Sequence, residues 1–434
     1  MTSARPRTGT KSNRTRPTRR SPTPPRVGRV DEELHAMRPQ LHFTAGGWIN
    51  DPHGFVHANG EYHAFYQYVP GSTEWETGIH WGHAAGPDLM SLRPRAIAIA
   101  PGDGDDGIWT GSIVDGGRDT HLAFYTSVAG ADTAMGTVRV ATTQDRSLDR
   151  WSKGPVVVEP PEGLGLTAFR DPFVFEDDGC WRMLVGGAMA DGVAGLLSFS
   201  SVDLTDWQFD GVAASRSTLA QTPIWTGELW ECPQLITVDG HDVLMFSVWA
   251  ADTGYGTAYG IGRWHGGKFD VERWGTLAYG SSYYAPTVYH DADGLPCITF
   301  WMRHVADPDG AWVGAHSLPW GLSVIDGDLR LDMHGSVERL LGRGLAGSTN
   351  GRTLIHWDPA VDGDLERAAD DGSWSLRATP TELEFLVDGQ RSAMPRRQGG
   401  ALVVVDGPIL ELAHAGSILG GAIPTDRSST AQGG

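Results

Sequence analysis

The chain has 434 residues, 40% hydrophobic and 20% charged, which is long enough for one large domain and a smaller one with cores of their own. Its net charge of -19 is unevenly spread: residues 1–30 hold eight Arg and one Lys with no acid, leaving 25 basic against 53 acidic residues beyond them. A body so acidic repels nucleic acid and anionic membrane and favours a neutral substrate over a polyanion. Gly 58, Pro 26 and Trp 17 suit many short strands joined by tight turns better than a helical bundle.

The chain opens on residues 1–36, rich in Arg, Ser, Thr and Pro and poor in residues to bury, expected to be a disordered basic leader. It has no apolar stretch of the kind a secretory signal needs, and Met37 is an alternative start. No apolar run downstream approaches the ~20 residues needed to span a bilayer. Cys180, Cys232 and Cys297 form no CxxC pair, so a reducing, cytoplasmic setting without disulfides is expected.

"GGWINDPHGF", Gly46 to Phe55, sets Asp51 between an asparagine and a proline, and on local grounds reads as a turn after a strand. From about Leu41 to Leu341 one grammar then recurs: an apolar or alternating run, a Gly/Asp/Asn turn, another run. "EYHAFYQYVP", "HLAFYTSVAG", "CWRMLVGGAM", "DVLMFSVWAA" and "PCITFWMRHV" each read as a β-strand, and their starts lie 60, 59, 62 and 54 residues apart. A repeat of that period with several strands per unit is what a β-propeller requires, because each twisted sheet must stack on its neighbours to bury both faces. The alternative is a large β-sandwich. After "LSVIDGDLRLDMHGSVERL" the texture changes, and strand-like text continues in a smaller unit. The expected fold is thus all-β, a five-bladed β-propeller over 37–343 followed by a small β-sandwich-like domain over 344–425 and a frayed tail over 426–434.

Three acids precede repeat strands by nine to eleven residues: Asp51 in "WINDP", Asp171 in "FRDP" and Glu231 in "WECP". Innermost propeller strands line the central channel, so acids at equivalent places on three of them are expected to meet. Charges of one sign gathered in a cleft cost stability, which points to chemistry. Two carboxyl groups flanking a glycosidic bond suffice for its hydrolysis, one attacking or activating water and the other protonating the leaving oxygen. Pro52, Pro172 and Pro233 stiffen the backbone beside these acids.

"WINDPHG", "FYQYVP", "HWGHA", "WTGS", "FRDP", "WECP" and "YYAP", in this order, strongly resemble glycoside hydrolase family 32, the β-fructosidases, from about His42 to Leu341. The resemblance implies a five-bladed propeller followed by a β-sandwich, and release of fructose from sucrose, sucrose 6-phosphate or fructans such as levan and inulin. It implies Asp51 as nucleophile, Asp171 as transition-state stabiliser and Glu231 as general acid/base, with Arg170 balancing charge. It also implies that Asn50, Gln67, Trp75, Trp109 and Thr110 line the fructose pocket; each Trp could equally be core.

The chain departs from the family pattern at His53, Ser282 and Thr110, and His53 is expected to alter the pH profile. The pairs His53/His57 and His80/His83 lie in strand and turn text with no HExxH, so neither a metal nor another cofactor is expected. The expected partner is a small-molecule or oligosaccharide fructoside, with no nucleic acid and no membrane. Two rival readings remain open: a fructosyltransferase, in which a sugar replaces water as acceptor, and a catalytically silent fructan-binding propeller.

Overall fold

The computed structural model describes residues 38–130, 132–342, 352–369 and 372–425. The leader over 1–36, the tail over 426–434 and the boundary at 343/344 lie outside the described residues. The protein is built from β-sheet, with a single helix, Gly335–Gly342, among the described residues. No described helix is long and apolar enough to cross a membrane.

Five antiparallel sheets form the blades of a propeller. Blade I runs through Gly47–Ala58, Glu61–Val69, His80–Gly86 and Arg93–Pro94, and blade II through Gly107–Asp115, His121–Val128, Thr137–Thr143 and Ser152–Val158. Blade III is Leu166–Asp177, Cys180–Met189, Val193–Ser201 and Gln208–Ser217; blade IV is Leu229–Val238, His241–Ala250, Thr253–His265 and Lys268–Gly275. Blade V is made of Tyr283–His290, Pro296–Ala306, Trp312–His316, Trp320–Ile325 and Asp328–Met333. The five repeated sequence runs are the second strands of the five blades, which explains the period: each run follows the hairpin turn from an innermost strand.

The ring is closed by backbone hydrogen bonding. Gly47 and Trp48 of the first strand pair in parallel with Trp312 and Val313 of blade V, and Phe43 bridges to His316. Between blades the packed faces are apolar. Phe124, Val140, Phe169, Val185 and Phe199 pack blade II on blade III; Leu184, Leu196, Trp230 and Phe246 pack blade III on blade IV. Where the blades converge the backbones nearly touch, and a Cβ on Gly186 would lie 2.2 Å from the Trp230 carbonyl oxygen.

The C-terminal part is a β-sandwich. One sheet orders Ala278–Tyr279, Ser417–Ala422, Ile409–His414, Ala401–Asp406 and Arg352–Trp357; the other orders Leu365–Ala369, Gly372–Ala378, Glu382–Val387 and Gln390–Pro395. Trp374, Leu376 and Phe385 of the second meet Val403, Leu410 and Leu412 of the first in a core of their own. Ala278–Tyr279 comes from the link between blades IV and V, so the propeller contributes an edge strand to the sandwich.

Candidate active site

Every innermost strand shares one slip in its pairing with the second strand: between Ile49 and Pro52, Ile108 and Gly111, Arg170 and Phe173, Glu231 and Gln234, and Tyr284 and Thr287; blade I slips again between His53 and Val56, and blade III between Leu166 and Ala168. Such a bulge re-aims side chains that strict alternation would send to opposite faces. The three acids are therefore not at equivalent positions, as the repeat alignment implied. Glu231 precedes its bulge, Asp171 is the first bulged residue of its strand and Asp51 the second. Asp171 and Cys232 take positive φ of 68° and 50° there. The bulges nevertheless bring all three carboxylates onto one cavity of about 560 Å³ at the end of the central channel.

Asp51 is held as an acceptor. Its Oδ2 receives the Thr110 hydroxyl at 2.6 Å and Gln67 Nε2 at 3.0 Å, and its Oδ1 receives Asn50 Nδ2 at 3.1 Å. Asn50 is itself fixed by Trp48 Nε1 at 3.0 Å and by Gln67 Oε1 at 2.7 Å. The buried Cys232 thiol stands 3.6 Å from Asp51 Oδ2. Burial pushes the Asp51 carboxyl above its ordinary value and Glu231 adds to that push, while hydrogen bonds from Thr110, Asn50 and Cys232 pull it back.

Asp171 is 4% exposed; its backbone N–H donates to Thr126 Oγ1 at 2.7 Å and its Oδ2 accepts the Cys232 N–H at 2.8 Å. Burial and then the facing Glu231 hold its carboxyl up at about 8, against the opposing pull of Arg170. Glu231 Oε1 accepts Arg170 Nε and Nη2, both at 2.9 Å, and its Oε2 accepts the Tyr284 hydroxyl. Arg170 is pinned between the rings of Trp109 and Trp249, 5.9 and 5.4 Å from their centroids.

The cavity wall is aromatic. Trp75, 46% exposed, meets Trp109 edge to face at 6.1 Å, and Trp48 meets Trp301 in the same way at 6.0 Å. Flat apolar faces edged by amide and carboxylate groups suit a sugar, which presents CH faces rimmed with hydroxyls. Two carboxyl groups over such a wall, one cradled as an acceptor and one gripped by Arg170 and Tyr284, can divide attack and proton donation at a glycosidic bond.

The model of the glycosyl hydrolase family 32 N-terminal domain matches residues 42–333. The chain belongs to family 32. It is 32% identical over 323 residues to the raffinose invertase of Escherichia coli, covering 69% of this chain and 66% of that protein. It is also 32% identical over 323 residues to the sucrose-6-phosphate hydrolase of Escherichia coli, covering 68% and 65%. The chain thus spans just under two-thirds of the length of these curated relatives. The structure of a Bombyx mori family 32 β-fructofuranosidase superposes with a TM-score of 0.76 at 22% identity, covering 90% of each chain.

Within this family 32 cavity, Asn50, Asp51, Gln67, Trp75, Trp109, Arg170, Asp171 and Glu231 all form the wall. Thr110, 1% exposed, stands behind Asp51 and not on the pocket surface expected for it. Sequence reasoning missed Trp48, Trp249, Tyr284, Trp301 and Arg303. "YYAP" was a visible motif without a role for Tyr284, and Trp301 and Arg303 sat inside a run read only as a strand. His53 also behaves differently from expectation: fully buried against Trp81, with Nδ1 3.1 Å from the Asp51 carbonyl oxygen, it is pushed down to about 3 by burial and does not titrate near neutrality. Away from the cavity, Asp291, Cys297 and His334 bring ligand-type atoms within 4.8 Å of one another. Asp291 and His334 already satisfy each other at 3.1 Å and Ser336 takes the second ring nitrogen at 2.7 Å, the pattern of a buried hydrogen-bonded cluster.

Proposed function

We propose that this family 32 protein is a retaining β-fructofuranosidase that releases fructose from the terminus of sucrose, sucrose 6-phosphate or a fructan. The observation that carries the reading is the unequal treatment of two carboxylates on one cavity: Asp51 receives three side-chain N–H and O–H donors, and Glu231 is held by Arg170 and Tyr284.

Asp51 attacks the anomeric carbon of the fructosyl unit while Glu231, in its acid form, gives its proton to the departing oxygen. The bond to the leaving sugar breaks as the bond to Asp51 Oδ forms. Glu231 then takes a proton from water, and the resulting nucleophile releases fructose from Asp51. Net retention follows from two inversions, and such a pair of carboxyl groups works at a separation of about 5 to 5.5 Å. Asp171 accepts ring hydroxyls and favours the oxocarbenium-like state, with Asn50, Gln67, Trp75, Trp109 and Arg170 shaping the pocket. The substrate is a small or oligomeric fructoside, with no role for nucleic acid or membrane. The three unpaired thiols fit a cytoplasmic setting. We take 37–343 as the catalytic propeller and 344–425 as the accessory sandwich.

Incubation with sucrose, sucrose 6-phosphate, inulin and levan, with fructose as the readout, tests the activity. Release from at least one is expected, and Glu231→Gln should lower kcat by about 10³-fold or more. Release of no fructose from any of the four would leave the silent binder as the better reading; oligomers growing at high sucrose would favour the transferase.

A further inference from the structure

The cavity holds two guanidinium groups with opposite circumstances. Arg170 is spent on Glu231. Arg303 lies on the same wall, yet among the described residues no carboxylate comes within ion-pair distance of it. Its Nη1 donates to the Gly254 carbonyl at 2.9 Å, its Nη2 donates to the Ser281 carbonyl at 2.8 Å, and its Nε is buried without a partner. The plane of the guanidinium lies over the Tyr284 ring, 4.4 Å from the centroid. Two neutral carbonyls and one ring fix the fork in place; Glu231 and Asp51 act on it across the cavity, but neither pairs with it directly, and a cation held on the wall without an ion pair needs an explanation.

Its position supplies one. Tyr284 donates its hydroxyl to Glu231, the group that protonates the leaving oxygen, so Arg303 stands one aromatic ring and one hydrogen bond from the proton donor. That contact puts Arg303 on the Glu231 side of the cavity, where the leaving sugar would sit. Asp51 and its cradle of Asn50, Gln67 and Thr110 belong to blades I and II, whereas Arg303 belongs to blade V. Another charged group on this flank is Asp252, exposed in the turn just before the strand Thr253–His265 that carries Gly254.

Resting on the fructosidase reading, we propose that Arg303 is the specificity-determining residue for the leaving sugar, and that it takes a phosphate monoester on that sugar. Each Nη keeps a second N–H beyond the one given to a carbonyl, and charged donors to phosphate oxygens in a partly desolvated site are strong. The bland alternative is that Arg303 only ties the strand carrying Gly254 to the segment at Ser281 and steadies Tyr284. The two differ in what the variant discriminates.

The test compares kcat/KM for sucrose 6-phosphate and for sucrose in the wild type, Arg303→Gln and Arg303→Lys, at low ionic strength. The wild type should prefer the phosphorylated substrate at least tenfold. Arg303→Gln should lose about ten- to a hundredfold more on sucrose 6-phosphate than on sucrose, and Arg303→Lys should keep part of the preference. Equal losses on both substrates, or a wild type that prefers sucrose, would overturn the proposal. Binding of glucose 6-phosphate measured by calorimetry gives an answer independent of turnover: tight to the wild type, weaker to Arg303→Gln, with glucose indifferent to the change. If neither substrate is cleaved, inulin and levan decide whether the fructosidase reading falls, and that binding difference alone upholds or overturns the role of Arg303.

Discussion

Asp51 shows how local text and long-range packing share the work of building one functional group. Its place between Asn50 and Pro52 reads locally as a turn, but the structure sets it in a bulge within the strand Gly47–Ala58, because Ile49 and Pro52 on either side keep their pairing with the next strand. Three of its four polar neighbours come from elsewhere: Gln67, Thr110 and Cys232. Because the Thr110 hydroxyl stabilises the ionised form, removing it should raise the Asp51 carboxyl further. In Thr110→Val the acid limb of the kcat/KM profile should therefore move to higher pH by about one unit, whereas Thr110→Ser should keep the limb in place. Asp171 gives a stability prediction. Its carboxyl is raised to about 8, so the fold favours the protonated form, and stability is lost as pH rises from the ordinary carboxylate value through 8. Asp171→Asn should gain about 2 kcal/mol over the wild type at pH 9 and little at pH 4, read by denaturant unfolding, while losing activity.

At the scale of the strand, the five repeated runs were found correctly because their apolar alternation and flanking turns are local properties. The bulges were not, since a slip in register leaves no mark in alternation over so few residues. Polar bridges then link neighbouring blades: between innermost strands, Ser112 Oγ donates to the Pro172 carbonyl at 3.0 Å and the Thr287 hydroxyl donates to the Pro52 carbonyl, and from the second strand of blade IV Ser247 Oγ accepts the Ala285 N–H at 2.7 Å. The bulged residues are thus held from the side by the next blade as well as by their own hairpin. Gly186 tests how closely these elements must approach. Gly186→Ala would force a methyl to within 2.2 Å of the Trp230 carbonyl, next to Glu231, and should destabilise by about 2–4 kcal/mol with a loss of activity in the folded fraction. A variant with wild-type melting behaviour would show that blades III and IV can separate without cost.

The whole molecule is tied together where propeller and sandwich meet. The backbone N–H groups of Gln40, Leu41 and His42 all donate to the Asp406 carboxylate, and His42 Nδ1 lies 2.9 Å from the same Oδ2 across 364 residues of sequence. His42 Nε2 faces Glu411 at 3.6 Å. Burial opposes charge on this imidazole, but Asp406 and Glu411 outweigh it and hold its pKa up to about 9. The stabilisation is complete below the ordinary histidine value and is lost as pH rises through 9. It amounts to about 3 kcal/mol, so the midpoint of unfolding should fall over pH 6.5 to 9, and His42→Gln should be less stable at pH 6.5 with a flatter dependence. Nothing in "LHFTAGG" marks His42 for this task, because its partners are named only by the closed fold.

What the sequence determined by itself was the all-β class, the number of blades, the three acids and most of the pocket that surrounds them. Periodicity, turn residues and short motifs are written within a few residues of one another, and the physics that enforces them acts at that range. The tertiary structure alone decided the offset of the acids within their bulges, the grip of Tyr284 on Glu231, the unpaired charge of Arg303 and the clasp at His42. Each of these depends on blades I and V meeting to close the ring or on the sandwich docking against it, and contacts made by closure join segments whose local patterns carry no record of each other.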